Sequence, residues 1–266
     1  MTKKVLSIDL DYFMGPTIQI YNSERMDHNP FVRWKELYDH TPFKESHFYI
    51  DQGNLLYCYH TFLKALKNNP TVVFGYDHDA ILYGIKDYDS IDLVNIDHHD
   101  DVFGGDYINH PDGDEFTVYD ENGDDIEIER EYSPLVKEYQ ESVECDSVHE
   151  GNWILWLHHK KKLNSAVWIC NETSGNLDRN EFNEQVLGDK YQTRLRNDYE
   201  FEDYNFDHIF VCLSPQYIPK NHWHYFTMFM MAYEEFTGNE VNLIDKLRFR
   251  YHVMYDKTTK HILNPS

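Results

Sequence analysis

Apolar residues in this chain gather into short, nearly unbroken runs, separated by longer stretches of helical character. Five runs stand out, at 4–8, 71–74, 91–96, 166–170 and 208–213. A strand exposed on one face alternates apolar and polar residues, whereas a run that is apolar throughout is covered on both faces. Between the runs, Leu55, Leu56, Tyr59, Phe62, Leu63 and Leu66 recur at helical spacing between Gly53 and Asn68. Trp153, Leu155, Trp156 and Leu157 belong to a second helical segment, and residues 223–236 form a third that ends near Gly238. Strands alternating with helices predict an α/β fold around a mainly parallel sheet. The aromatic groups at 57–59 and 223–226 read as core, not as a platform for substrate.

Two stretches break the rhythm. Residues 116–128 contain two alternating segments around Asn122-Gly123, which predicts a hairpin. The acidic stretch 103–148 around it reads as an insertion over the sheet edge. A calcium loop at 120–129 is the sharper alternative, but its carboxylates do not follow the twelve-residue pattern. Residues 178–206 are polar and read as an irregular surface excursion bordering the site. With no repeat and no low-complexity linker, residues 1–266 are expected to form one domain, the tail 241–266 having no assigned role.

Charge and cysteine usage narrow the function class. The chain carries 47 acidic and 24 basic residues, a formal charge of −23. Nothing basic offsets this except Lys160-Lys-Lys162 at a helix end, so nucleic acid and anionic membranes are not expected partners. No apolar run approaches the roughly 18–20 residues of a membrane span, and the apolar stretch 5–8 is too short for a signal peptide. Cys58, Cys145, Cys170 and Cys212 are scattered, with Cys170 and Cys212 inside apolar runs. Buried free thiols and a reducing, cytoplasmic setting are the expectation.

The chemistry concentrates where apolar runs end. Residues 95–101 read Asn-Ile-Asp-His-His-Asp-Asp. In an extended chain, Asp97, His99 and Asp101 project to one side. Asp9 and Asp11 repeat this spacing after the first run, and His78 follows the second in Gly75-Tyr-Asp-His78. In a parallel sheet, residues just past the strands share one edge, where ligands bind. Four carboxylates brought together there repel one another unless cations intervene, and two divalent ions relieve the repulsion while activating water. The six residues are therefore candidate ligands of a two-metal hydrolytic centre, and their oxygen and imidazole donors suit Mn²⁺ or Mg²⁺.

Together, Ser7-Ile-Asp-Leu-Asp11, Gly75-Tyr-Asp-His78 and Asp97-His-His-Asp-Asp101 resemble the three metal motifs of the arginase and agmatinase superfamily. The order is permuted, because the S-x-D-x-D strand comes late in arginase and first here. An N-terminal S-x-D-x-D followed by D-x-H-x-D is closer to the arginase-like family that includes the peptide arginases. His149-Glu-Gly-Asn-Trp153 and Cys212-Leu-Ser-Pro-Gln216 also resemble motifs of that family. The resemblance implies a three-layer arginase-like fold with permuted strand order and two Mn²⁺ ions. Asp97 and Asp9 would bridge the ions, His78 and Asp101 completing one, His99 and Asp11 the other. It further implies attack of an activated water on an arginine side chain, giving urea and ornithine, with an arginine-containing peptide or small guanidino compound as partner.

Supporting roles fall on residues near the same edge. His149 is a candidate proton shuttle to the departing amine. Glu172 could pair with a guanidinium, and Gln216 could orient substrate. The rival enzyme class is the DHH-type manganese phosphoesterase, which would recruit His98. Against it, Asp11 is followed by Tyr12-Phe-Met14 where that family has small residues. A haloacid-dehalogenase-type phosphatase would use Asp9 and Asp11 but leave Asp97-His-His-Asp-Asp101 unexplained. A binding protein of the same fold without activity is the remaining alternative.

Overall fold

The computed structural model describes residues 1–15, 34, 38–39, 44–102, 151–174 and 187–244, with the backbone of 117–119 and 125–127. In chain order the elements are β1 (Lys3–Asp9), β2 (Met14–Gly15), β3 (Tyr49–Ile50), α1 (Gln52–Leu66), β4 (Thr71–Gly75), α2 (Ile81–Ile85) and β5 (Ile91–Ile96). They continue with β6 (Thr117–Tyr119), β7 (Asp125–Glu127), α3 (Trp153–His159), β8 (Leu163–Cys170), β9 (Tyr191–Leu195), β10 (His208–Cys212), α4 (His224–Thr237) and β11 (Leu243–Ile244).

Seven strands form one sheet in the order β11-β4-β10-β1-β5-β8-β9, and every neighbouring pair is parallel. Alternate residues of each strand face opposite layers. Leu6, Ile8, Phe74 and Val211 pack with Phe62, Phe226 and Phe229 of α1 and α4. Val5, Val73, Leu93 and Phe210 pack with Ile81, Ile85 and Trp153 of α2 and α3. Both faces are thus covered, which is why the strands read as continuous apolar runs, and the molecule has three layers. Each large apolar side chain removed from water contributes about 1.5–3 kcal/mol.

The helices carry the expected end signals. The Asp51 side chain caps α1 by accepting from Asn54 N at 2.8 Å. Gly238, at φ 71°, takes the left-handed conformation that closes α4 and donates its N–H to Glu234 O. Tyr59 meets Phe229 edge to face, and Trp223 and Phe226 are buried, so these aromatics belong to the core. Cys58, Cys170 and Cys212 are buried free thiols; Cys145 lies outside the described residues. No helix among the described residues is long and apolar enough to cross a membrane.

Three elements depart from the sequence reading. The stretch 178–206 was expected to be irregular, yet Tyr191–Leu195 is the edge strand β9. Gln192 and Arg194 are exposed on this edge, which among the described residues pairs with β8 alone, so it lacks the apolar run of a central strand. The tail contributes β11, paired to β4 at the opposite edge. The five-residue α2 is too short to show a helical period. Within 103–148, only the strands of the expected hairpin are described, pairing antiparallel from Thr117↔Glu127 to Tyr119↔Asp125.

The connections fix where a ligand can sit. After β1 the chain passes to α1 on one face, and the next helix described after β5 is α3 on the other. Adjacent strands whose connections diverge leave a crevice at their carboxyl ends. Here it opens between Asp9 and Asp97.

Candidate metal centre

Asp9 ends β1, and its Oδ1 accepts from Asp11 N at 3.1 Å, which turns the chain into the short 3₁₀ segment Leu10–Phe13. Asp11 is thereby swung back over the sheet edge. His78 opens the 3₁₀ turn that follows β4. After β5 the chain does not stay extended, contrary to the expectation behind the alternate spacing. Asp97 Oδ1 accepts from His99 N at 2.9 Å, bending the chain, and Asp101 sits at φ 53° in the left-handed region. A turn, not a strand, therefore presents these side chains.

The result is two groups of donor atoms close enough to hold metal ions. Asp9, His78 and Asp97 form one, and Asp11, Asp97 and His99 the other. Asp97 belongs to both. His78 Nδ1 lies 3.3 Å from Asp9 Oδ2, 3.0 Å from Asp97 Oδ2 and 2.8 Å from Asp101 Oδ2. His99 Nδ1 lies 3.0 Å from Asp11 Oδ2. Two details differ from the ligand set implied by the resemblance: Asp9 enters one group only, and Asp101 enters neither, although it touches His78. Five of the six side chains are almost wholly buried, while that of His99 is 30% exposed. Among the six candidate ligands His99 is thus the most exposed, and its ring packs against Tyr217 at 4.6 Å.

Electrostatics show what the cluster lacks. Burial, reinforced by Asp9, pushes the Asp11 carboxyl up to about 8. Burial, then Asp97, raises Asp101 well above the usual carboxylate range. For Asp97 burial acts upward too, but His78 outweighs it and holds the carboxyl low. Burial disfavours charge on both histidines, yet the facing carboxylates win: Asp101 and Asp97 raise His78, and Asp11 raises His99 to about 10. The cluster holds protons because it is short of positive charge. Asp11 Oδ2 and His78 Nδ1 are buried, and their close contacts with the facing groups lack hydrogen-bond geometry. Buried carboxylate and imidazole donors of this kind fit a divalent cation in place of those protons.

Around the donors lies a layer that orients them. Ser7 Oγ is hydrogen-bonded to His78 Nε2 at 2.5 Å, leaving Nδ1 free to face the carboxylates. Asn95 Nδ2 donates to Asp97 Oδ2 at 3.2 Å, Trp153 Nε1 donates to Asp101 Oδ2 at 2.5 Å, and Ser214 Oγ donates to Asp9 Oδ2. Ser7 and Asn95 are register partners on β1 and β5, and both are fully buried. Sequence reasoning gave these four no role. The signal for Ser7 and Asn95 was a polar residue interrupting an apolar strand. Ser214, at φ 49°, and Trp153 stood inside segments already singled out for their motifs.

The remaining candidates are placed as follows. His149 lies outside the described residues. Glu172 is exposed on the loop after β8, where it lines a cavity, and it enters neither donor group. Gln216 is buried two residues beyond Ser214. His98 joins neither donor group; its Nδ1 is 3.5 Å from Ser174 Oγ, and burial followed by His99 lowers it to about 3.

Compared with known proteins, the chain matches no family model, no curated protein and no solved structure.

Proposed function

We propose that this protein is a dinuclear-metal hydrolase acting on the guanidino group of an arginine side chain, within a peptide, to give urea and ornithine. The observation that carries the reading is Asp97: one buried carboxylate serving two three-residue donor groups at the carboxyl edge of a parallel sheet. Neighbouring groups that share a carboxylate suit a pair of ions acting on one substrate. The donors, two carboxylates and one imidazole in each group, are hard enough for Mn²⁺. When bound, such ions supply Lewis-acid activation of water near neutral pH.

The chain's own residues then have distinct tasks. Asp9 and His78 would hold one ion, Asp11 and His99 the other, with Asp97 common to both. Ser7, Asn95, Ser214 and Trp153 fix the orientation of His78, Asp97, Asp9 and Asp101, so that little reorganisation is needed on binding. Entry past His99 would admit the head of an extended side chain while the buried remainder excludes bulk water. An acidic protein with carboxylates at the crevice attracts a cationic guanidinium and repels a phosphoester. His98, outside both donor groups, gives the DHH-type phosphoesterase reading no ligand of the kind it requires.

The test is urea release by Mn²⁺-loaded protein given free arginine, agmatine and arginine-containing peptides, beside an Asp97→Ala control. Urea from peptides that vanishes in the control is the expected result. Metal binding with no urea from any of them would overturn the guanidino reading in favour of a phosphoesterase or a non-catalytic binding protein.

A further inference from the structure

His98 stands between two candidate ligands, Asp97 and His99, without being one itself. Its backbone N–H donates to Asp11 Oδ1 at 3.4 Å, and its ring meets the His99 ring edge-on, with 4.9 Å between centroids. Asp11 and His99 both belong to the second donor group, so the His98 imidazole is placed beside that group. The residue is buried, at 4% exposure.

One nitrogen of the ring is accounted for. Nδ1 lies 3.5 Å from Ser174 Oγ, in the turn that follows β8. Asn171 anchors that turn: its N donates to Ser174 Oγ at 3.1 Å, and its Nδ2 donates to Tyr12 O, one residue past Asp11, at 2.6 Å. The order of protons in the turn follows from Asn171 Oδ1, a carbonyl oxygen that can only accept. Thr173 N, Thr173 Oγ1 and Ser174 Oγ all donate to it, at 2.9, 2.7 and 3.4 Å. With the Ser174 proton directed there, Ser174 Oγ is the acceptor of the His98 contact. The imidazole therefore carries its proton on Nδ1.

The other nitrogen is then a bare lone pair. His98 Nε2 is buried and has no hydrogen-bond partner among the described residues. The two ring nitrogens of an imidazole diverge, so engaging Nδ1 with the β8 turn directs Nε2 away from it. A buried acceptor without a donor is uncommon in a folded protein, and it marks a place where a ligand or water supplies the hydrogen. What this position lacks is a donor. A guanidinium offers five N–H groups and no acceptor, whereas an ionised phosphoester presents acceptor oxygens alone.

We infer that His98 is a substrate-contacting residue, its Nε2 accepting an N–H of the guanidino group bound at the metal centre. This rests on the guanidino reading above for the identity of the head group. One neutral acceptor fixes how a planar head lies without adding to the positive charge around it. A ring with its proton on Nε2 would oppose the same head, because two donors would face each other.

Nitrogen NMR of protein carrying isotope-labelled histidine tests this, with Mg²⁺ in place of Mn²⁺ to keep the lines sharp. It reads the proton on each ring nitrogen, and His98→Gln identifies the His98 signals by their loss. The expected result is a proton on Nδ1 and a bare Nε2, whose signal moves on addition of methylguanidinium and stays on addition of inorganic phosphate. In urea assays with arginine-containing peptides, His98→Leu should lose roughly 10- to 100-fold in kcat/KM at unchanged metal content, as expected for a hydrogen bond to a charged group. His98→Gln, which retains an acceptor, should recover part of that loss. A proton on Nε2, an Nε2 signal that ignores methylguanidinium or answers phosphate instead, or full kcat/KM in His98→Leu would overturn the inference. The contact and the reaction fail separately. An Nε2 response with no urea from any arginine substrate leaves the contact standing and removes the hydrolysis, while urea release with no Nε2 response does the reverse.

Discussion

Replacing Asp97 by asparagine keeps the shape of the side chain and removes the charge that both donor groups share. An Mn²⁺ ion that binds only the folded protein stabilises it by about 2.7 kcal/mol when free metal is a hundred times its dissociation constant. A chain of this size gains roughly 2–4 °C in Tm per kcal/mol, so one filled site raises Tm by roughly 5–10 °C and two by roughly twice that. In the wild-type protein Asp97 Oδ2 lies 3.0 Å from His78 Nδ1 and accepts from Asn95, while Oδ1 accepts from His99 N. Asparagine has one oxygen for these tasks, so it cannot face both groups. The expected outcome is a large Mn²⁺-dependent rise in wild-type Tm, by calorimetry or circular dichroism against a chelator-treated baseline, that is nearly abolished in Asp97→Asn. Loss of half the rise would mean that the two groups do not depend on one carboxylate. A rise equal to that of wild type would refute the assignment of Asp97 altogether.

Ser7→Ala should weaken Mn²⁺ affinity by roughly 10- to 100-fold in a chelator competition, because His78 loses the partner that fixes its ring; unchanged affinity would remove Ser7 from the site. His98→Gln should still bind metal at wild-type stoichiometry by elemental analysis, since His98 enters neither donor group. Loss of metal in that variant would revive the phosphoesterase reading. Acid sensitivity should come in part from His208, which is buried with no hydrogen-bond partner among the described residues on either ring nitrogen and held down to about 4 by burial. Between that value and the unfolded value near 6.5, the unfolded chain binds the extra proton. Its contribution is therefore intact above about pH 6.5 and declines as pH falls, by about 3 kcal/mol once pH is below 4. His208→Leu should flatten the acid limb of a Tm profile, and an unchanged limb would rule this out.

Much of the architecture was legible because both faces of the sheet are covered. Strands with nothing polar to show, such as Ile91–Ile96, declare themselves, and their ends located Asp9, His78 and Asp97. The same logic hid Tyr191–Leu195, whose exposed edge residues look like loop. Alternate spacing singled out 97 and 99, which do enter the donor groups, but by another route: the chain turns after Asp97, and the carboxylate of Asp97 itself makes the turn. The orienting residues were the least legible. Ser7 and Asn95 are ordinary polar residues until the register sets them side by side beneath the centre. Trp153 reads as core from its sequence neighbours, and only the fold reveals that its N–H reaches Asp101.

The place of β10 has a consequence for how the protein is made. This strand lies between β4 and β1, pairing His208 with both Thr71 and Val5. All six candidate ligands have been synthesised by residue 101, yet the sheet that carries them stays split until residue 212 emerges. At 5–20 residues per second that interval is roughly 5–20 s. Throughout it, two bare strand edges face outward and Asp9 still awaits Ser214. An ion held by these residues would thus be bound late, after most of the chain has left the ribosome. A nascent chain arrested before β10 should aggregate more readily than it captures manganese.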